Sequence, residues 1–199
     1  MKAGERDEFL RAAWRVLVGG KLDAEWLVFV DEMGAHTSLA PVYGYSPRGE
    51  RLVLEVPRNR GKNTTLLASM SIEGMGGCLA VEGAATKVVF ETYVERVLAP
   101  SLRAGQVVVM DNLAAHKGEK VKEVIESKGC ELIYLPAYSP DLNPIEEAFS
   151  KVKHLLKKIG ARGKEALIEA LGAAISAVGS RDGCAFFEHC GYRSSVQLP

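Results

Sequence analysis

The chain has 199 residues, 47% of them hydrophobic and 25% charged, with 25 Lys and Arg balanced by 25 Asp and Glu. That length fits one domain burying roughly 70% of its unfolded surface. Zero net charge removes any whole-molecule polycation argument for nucleic acid, so such an argument must be local.

No apolar run reaches the ~18 residues of a membrane span. The four cysteines (Cys78, Cys130, Cys184, Cys190) form no Cys-x-x-Cys pair. With no signal-peptide pattern ahead of them, they read as reduced packing thiols of a cytoplasmic protein and not as a zinc site.

In chain order, Phe9, Leu10, Ala13, Trp14, Leu17 and Val18 recur at helical spacing, and Gly19-Gly20 stops that helix. Trp26 to Val30 is a short apolar run of strand type that ends in Asp31-Glu32. From Tyr43 to Lys62 the chain turns basic, with Arg48, Arg51, Arg58, Arg60 and Lys62 against two acids. Ser46-Pro47-Arg48-Gly49 signals a turn between two short extended pieces. Thr64–Ile72 and Cys78–Val81 predict a hairpin around the Gly-rich 73–77.

Thr86 then caps a helix carrying Val89, Phe90, Tyr93, Val94, Val97 and Leu98, and Pro100 ends it. Val107 to Met110 is a second continuous apolar strand, again followed by an acid, Asp111. A helix with Val121, Val124 and Ile125 on one face closes at Gly129, and Leu132–Leu135 is the next strand. Pro136, Pro140 and Pro144 hold the following stretch extended, since each ring fixes φ and disfavours helix in the residue before it. Asn143 suits an N-cap and Pro144 the first helical position. Ile145, Ala148, Phe149, Val152, Leu155, Leu156 and Ile159 then form a helical stripe up to Gly160. A last helix presents Leu167, Ile168, Leu171, Ala174, Ile175 and Val178, and a loosely packed tail follows from Arg181. This order predicts an α/β fold, a mixed sheet with helices on its faces.

Carboxylates recur where such a fold places clefts. Asp31 and Asp111 end apolar strands, and neighbouring strands lie only ~4.8 Å apart. Glu146 opens a helix. Three carboxylates brought together repel unless a cation lies among them, and Mg²⁺ takes such oxygens while keeping waters. A metal pair of this kind serves in-line phosphoryl displacement. Each acid also has a plain structural reading: Asp31 and Asp111 as strand-end residues bonded to loops, and Asn143-x-x-Glu146 as a capping box. Helical geometry at ~100° per residue sets Glu146 and Glu147 on opposite flanks of the stripe and does not choose between them.

Three blocks carry a resemblance: Val-Phe-Val-Asp31-Glu32, Val-Val-Met-Asp111-Asn112-Leu-Ala-Ala-His116, and Leu-Pro-Ala-Tyr-Ser-Pro-Asp-Leu-Asn-Pro-Ile-Glu146. Together they resemble the mariner-like transposase superfamily, above all its bacterial insertion-sequence branch. The 34 residues between Asp111 and Glu146 match that family's spacing. The resemblance covers residues 25–160 and, more loosely, the last helix.

It implies a ribonuclease H-like catalytic domain over 25–180, with 1–24 as a helical lead-in and 181–199 as a C-terminal tail. It further implies an Asp-Asp-Glu triad of Asp31, Asp111 and Glu146 that binds two Mg²⁺ or Mn²⁺ ions. Glu146 is favoured over Glu147 because the family's acid follows Asn-Pro-Ile directly. Asn112 and His116 become candidates for supporting the metal ligands or touching DNA. The implied reaction is nicking of double-stranded DNA at element ends and attack of the freed 3′-hydroxyl on target DNA, by a homodimer associated with the nucleoid.

Residues 143–164 carry six basic side chains against Glu146 and Glu147. Lys151, Lys153 and Lys157 join the 48–62 group as phosphate contacts; a plain solvated face is the other reading. Only 30 residues precede Asp31, fewer than the helix-turn-helix region of full-length relatives. A separately encoded helix-turn-helix half is one expectation. The other is a non-catalytic DNA- or protein-binding remnant that inhibits or dimerises with the intact enzyme.

Overall fold

The computed structural model describes residues 6–59, 61–112 and 118–194; the candidates Arg60 and His116 lie outside them. The apolar runs and the hairpin become strands β1 (Leu27–Ala35), β2 (Thr64–Ser71), β3 (Gly74–Glu82), β4 (Val107–Met110) and β5 (Glu131–Tyr134). They form one sheet in the order β3-β2-β1-β4-β5. β1 is antiparallel to β2 and parallel to β4, and β4 is parallel to β5. β1 is therefore the strand at which a hairpin-type sheet turns into a crossover-type sheet.

Strand alternation divides two cores. On one face Phe29, Met33, Leu66, Ala68 and Val109 pack with α4 (Pro144–Ile159), α5 (Lys164–Ser176) and α6 (Ser180–His189). On the other, Val28, Val30, Leu67, Val108 and Met110 meet α2 (Lys87–Tyr93) and α3 (Glu119–Glu126). The α4 stripe buries Ile145, Ala148, Phe149, Val152 and Leu156 as expected, and the helix ends at Gly160, whose φ of 67° is left-handed. Thr86 caps α2 through a bond from the Val89 amide.

Four expectations give way. β1 does not stop at Asp31-Glu32: β2 pairs with it as far as Ala35 opposite Thr64, so its backbone bonds continue after β4 has ended. No strand forms among the described residues between 36 and 63; the segment holds turns instead, one in which the Leu39 amide donates to the His36 carbonyl and one in which the Glu50 amide donates to the Pro47 carbonyl. Helix α1 (Glu8–Trp14), extended by a wider turn over Arg15–Gly19, buries only part of its apolar stripe. Phe9, Leu10 and Leu17 face outward, while Arg11, Trp14 and Val18 face in. The segment from Arg181 is not loose either: α6 docks on the sheet, with the Phe187 ring edge-on to Phe29 at 5.3 Å and Tyr192 5.2 Å from the same ring.

Candidate active site

β1 and β4 run side by side as far as Val30 opposite Met110, and the next residue of the chain after each is an acid, Asp31 still within β1 and Asp111 just past the end of β4. Asp31 and Asp111 are therefore neighbours at the point where the parallel pairing ends. Asp31 sits within β1, opposite Ala68 of β2, and is buried. By alternation it shares the face of Phe29, toward α4. The Glu32 amide donates to its Oδ1 at 2.7 Å.

The third wall comes from the proline-bearing loop. The Leu135 amide donates to the Met110 carbonyl at 2.9 Å, which carries β5 past β4 and into the loop. Tyr138 has φ 54°, the one non-glycine residue with positive φ among those described, and a bulky residue held there marks local strain. A short turn over Pro140–Leu142 follows. Both ends of the chain clamp this loop. Buried Arg11 donates to Asp141 with two nitrogens, at 2.9 and 2.6 Å, and holds that carboxyl below the usual carboxylate range. The Trp14 indole donates to the Tyr192 hydroxyl at 2.8 Å, which in turn donates to the Leu142 carbonyl at 2.6 Å.

Pro144 then starts α4 and Glu146 stands in its first turn. Asp31, Asp111, Asn112 and Glu146, with the loop from Leu135 to Pro140 and Asn143, line one cleft of about 370 Å³. Glu147, one residue on, faces elsewhere: its carboxylate meets His189 Nδ1 at 2.5 Å. That contact raises the imidazole pKa. The helix thus separates the two glutamates that spacing left equivalent.

The expected capping box does not form. Asn143 occupies the N-cap, but its side chain makes no bond to the helix start. Its Nδ2 donates instead to Asp31 Oδ2 at 2.8 Å, a buried contact across 112 residues of sequence. Its Oδ1 is buried with no hydrogen-bond partner among the described residues. Sequence reading missed this role, as it missed Arg11, because neither pairing has a local spacing signature.

The donors are carboxylate oxygens plus one orphaned amide oxygen, the hard set that suits Mg²⁺ or Mn²⁺. Among the described residues, no three His, Cys, Asp or Glu side chains stand close enough together to hold a metal ion. The fit therefore rests on donor chemistry and shared cleft rather than on an assembled coordination shell.

The basic candidates are dispersed. Arg48, Arg51 and Arg58 are exposed on the 36–59 segment, and Lys62 is exposed and 3.2 Å from Glu82. Lys151 is held by both oxygens of Asp182 at 2.7 Å, while Lys153 and Lys157 are half-buried on α4. No helix among the described residues is long and apolar enough to cross a membrane.

A family model described as DDE superfamily endonuclease matches residues 26–168. No curated protein matches the chain in sequence. Among solved structures, the Mos1 mariner paired end complex with Mn is similar over 94% of this chain and 59% of its own, at 18% identity and TM-score 0.75. The Mos1 strand transfer complex is similar over 96% and 60%, again at 18% and 0.75. The isolated Mos1 catalytic domain is similar over 92% and 84%, at 16% and 0.62. The chain thus spans well under two thirds of those two longer transposase chains and most of the catalytic domain alone. At such identities the likeness is one of fold, and the fold is ribonuclease H-like.

Proposed function

Because the chain belongs to the DDE superfamily endonucleases, we propose that it is a transposase catalytic domain that cuts and rejoins DNA through Asp31, Asp111 and Glu146. The observation that carries this reading is their common cleft, with two acids side by side where β1 and β4 part and the third in the first turn of α4.

The chain's own residues supply a negatively charged floor, an acid on a rigid helix, and a loop clamped from both chain ends. Two Mg²⁺ or Mn²⁺ ions, when bound, would supply activation of the attacking oxygen and stabilisation of the leaving one. Water is the nucleophile in nicking and a DNA 3′-hydroxyl in joining. Arg48, Arg51, Arg58, Lys62, Lys153 and Lys157 are placed in this reading as phosphate contacts, with Asn112 beside the acids. The reading includes a homodimer holding two DNA ends and a separate helix-turn-helix partner that recognises them.

Relaxation of supercoiled plasmid by nicking, in Mg²⁺ or Mn²⁺, tests it. Nicking by the intact chain should stop in chelator and in Asp111→Asn. Undiminished nicking in either would remove the triad, and no nicking by the intact chain would favour a binding role.

A further inference from the structure

We propose that Asn143 is a positioning residue that ties Asp31 to the start of α4 and so sets the spacing between the first and third acids. The inference rests on the metal-binding reading of Asp31, Asp111 and Glu146.

Three observations support it. An asparagine at an N-cap ordinarily accepts a bond from the first helical turn, which stabilises the helix. Asn143 has the cap position and the extended backbone for this, yet its side chain reaches β1 instead. The contact is buried on both sides, with Asp31 7% and Asn143 4% exposed. Its direction is also fixed: an amide turned the other way would set an oxygen against the carboxylate. That leaves Oδ1 buried and unpaired among the described residues, an arrangement that costs rather than gains stability. A residue chosen for folding alone would cap the helix and leave no orphan.

The geometry shows what the side chain does. Asp31 has one oxygen on the Glu32 amide and the other on Asn143, so its carboxylate cannot rotate. The Asn143 carbonyl accepts from the Glu146 amide at 3.1 Å. One residue therefore grips Asp31 through its side chain and Glu146 through its backbone. Partners that orient metal ligands in this way typically govern metal affinity by 10–100-fold.

The test is Mn²⁺ binding, followed by the paramagnetic resonance of the free ion, with melting temperature measured alongside on the intact chain. Asn143→Ser keeps a good N-cap but is too short to hold the carboxylate. It should melt above Asn143→Ala and bind Mn²⁺ roughly 10-fold more weakly than the parent or worse. Asn143→Ala should show the same loss of affinity with a lower melting temperature. Parent-like Mn²⁺ affinity in Asn143→Ser would overturn the positioning role. Asp31→Asn and Glu146→Gln run in parallel keep the two ideas apart. If they bind Mn²⁺ as the parent does, the metal reading itself fails; if they lose it and Asn143→Ser does not, only the role of Asn143 fails.

Discussion

Arg11 and Asp141 lie 130 residues apart and are joined by two hydrogen bonds, yet only one of them is buried. The Arg11 side chain is wholly enclosed, whereas that of Asp141 is 48% exposed and also lies 3.3 Å from Arg15. Losing either partner should therefore cost different amounts. Asp141→Ala strands an enclosed guanidinium, which Glu8 at 3.4 Å offsets only in part, and should destabilise by about 3 kcal/mol. Arg11→Met keeps the packing and leaves a carboxylate that water and Arg15 can reach, for about 1 kcal/mol. Urea midpoints of the two variants decide the matter, and equal losses would contradict the asymmetry.

The same pair predicts a pH dependence. Arg11, first through its hydrogen bonds and then through its charge, holds the Asp141 carboxyl below its usual range. A depressed folded pKa gives stability that is complete above the unfolded value of ~3.9 and lost as pH falls through the folded value. The stability gap between the parent and Asp141→Asn should be constant near neutrality and narrow below about pH 4. A gap unchanged at pH 3 would show that the pair contributes through shape alone.

Gly183 tests whether α6 belongs to the core. A Cβ there would strike the backbone carbonyl of Ile72 at the β2–β3 turn. Gly183→Ala should cost about 1–3 kcal/mol. Gly172→Ala, in the interior of α5 where a Cβ meets open space, should instead gain roughly 0.5–1 kcal/mol. Opposite signs in thermal melts are the expected outcome.

The thiols should sort by burial. Cys190 is pushed up to about 12 by burial and then by Glu147, and burial raises Cys130 as well. With a disulfide reagent at pH 8, exposed Cys78 should react first. Cys130 and Cys190 should react only in denaturant. Rapid native labelling of Cys190 would mean that α6 opens readily.

Salt dependence of DNA binding separates free cations from engaged ones. Changing Arg48, Arg51 and Arg58 together to Gln should lower the log–log salt slope by roughly 0.9 per lost phosphate contact. Lys151→Gln should leave the slope nearly unchanged, because Asp182 already holds that ammonium. A large change for Lys151 alone would place the DNA across α4 and α6.

Much of the fold could be read in the sequence because it is locally periodic. The Val107–Met110 run, the hairpin and the α4 stripe each announce their own element. The block around Asp111 and the loop leading to Glu146 carried the family resemblance, and those acids share a cleft with Asp31. What escaped are features set by distant partners. The length of β1 depends on β2 continuing where β4 stops. Arg11 hides within an apolar helical pattern, and only Asp141 explains why it faces in. Asn143 reads as a cap by every local rule, and its true partner is 112 residues away. α6 looked like a tail because Phe186, Phe187 and Tyr192 follow no repeat, although two of them meet Phe29.

The clasp formed by Arg11, Trp14, Asp141 and Tyr192 joins residues as far as 178 apart in the chain. During synthesis, Asp31, Asp111 and Glu146 all leave the ribosome before Tyr192 does. The loop between β5 and α4 then still lacks the hydroxyl that fastens Leu142. A nascent chain therefore holds all three acids without a finished cleft, and the proposed site would be completed only once residue 192 has emerged.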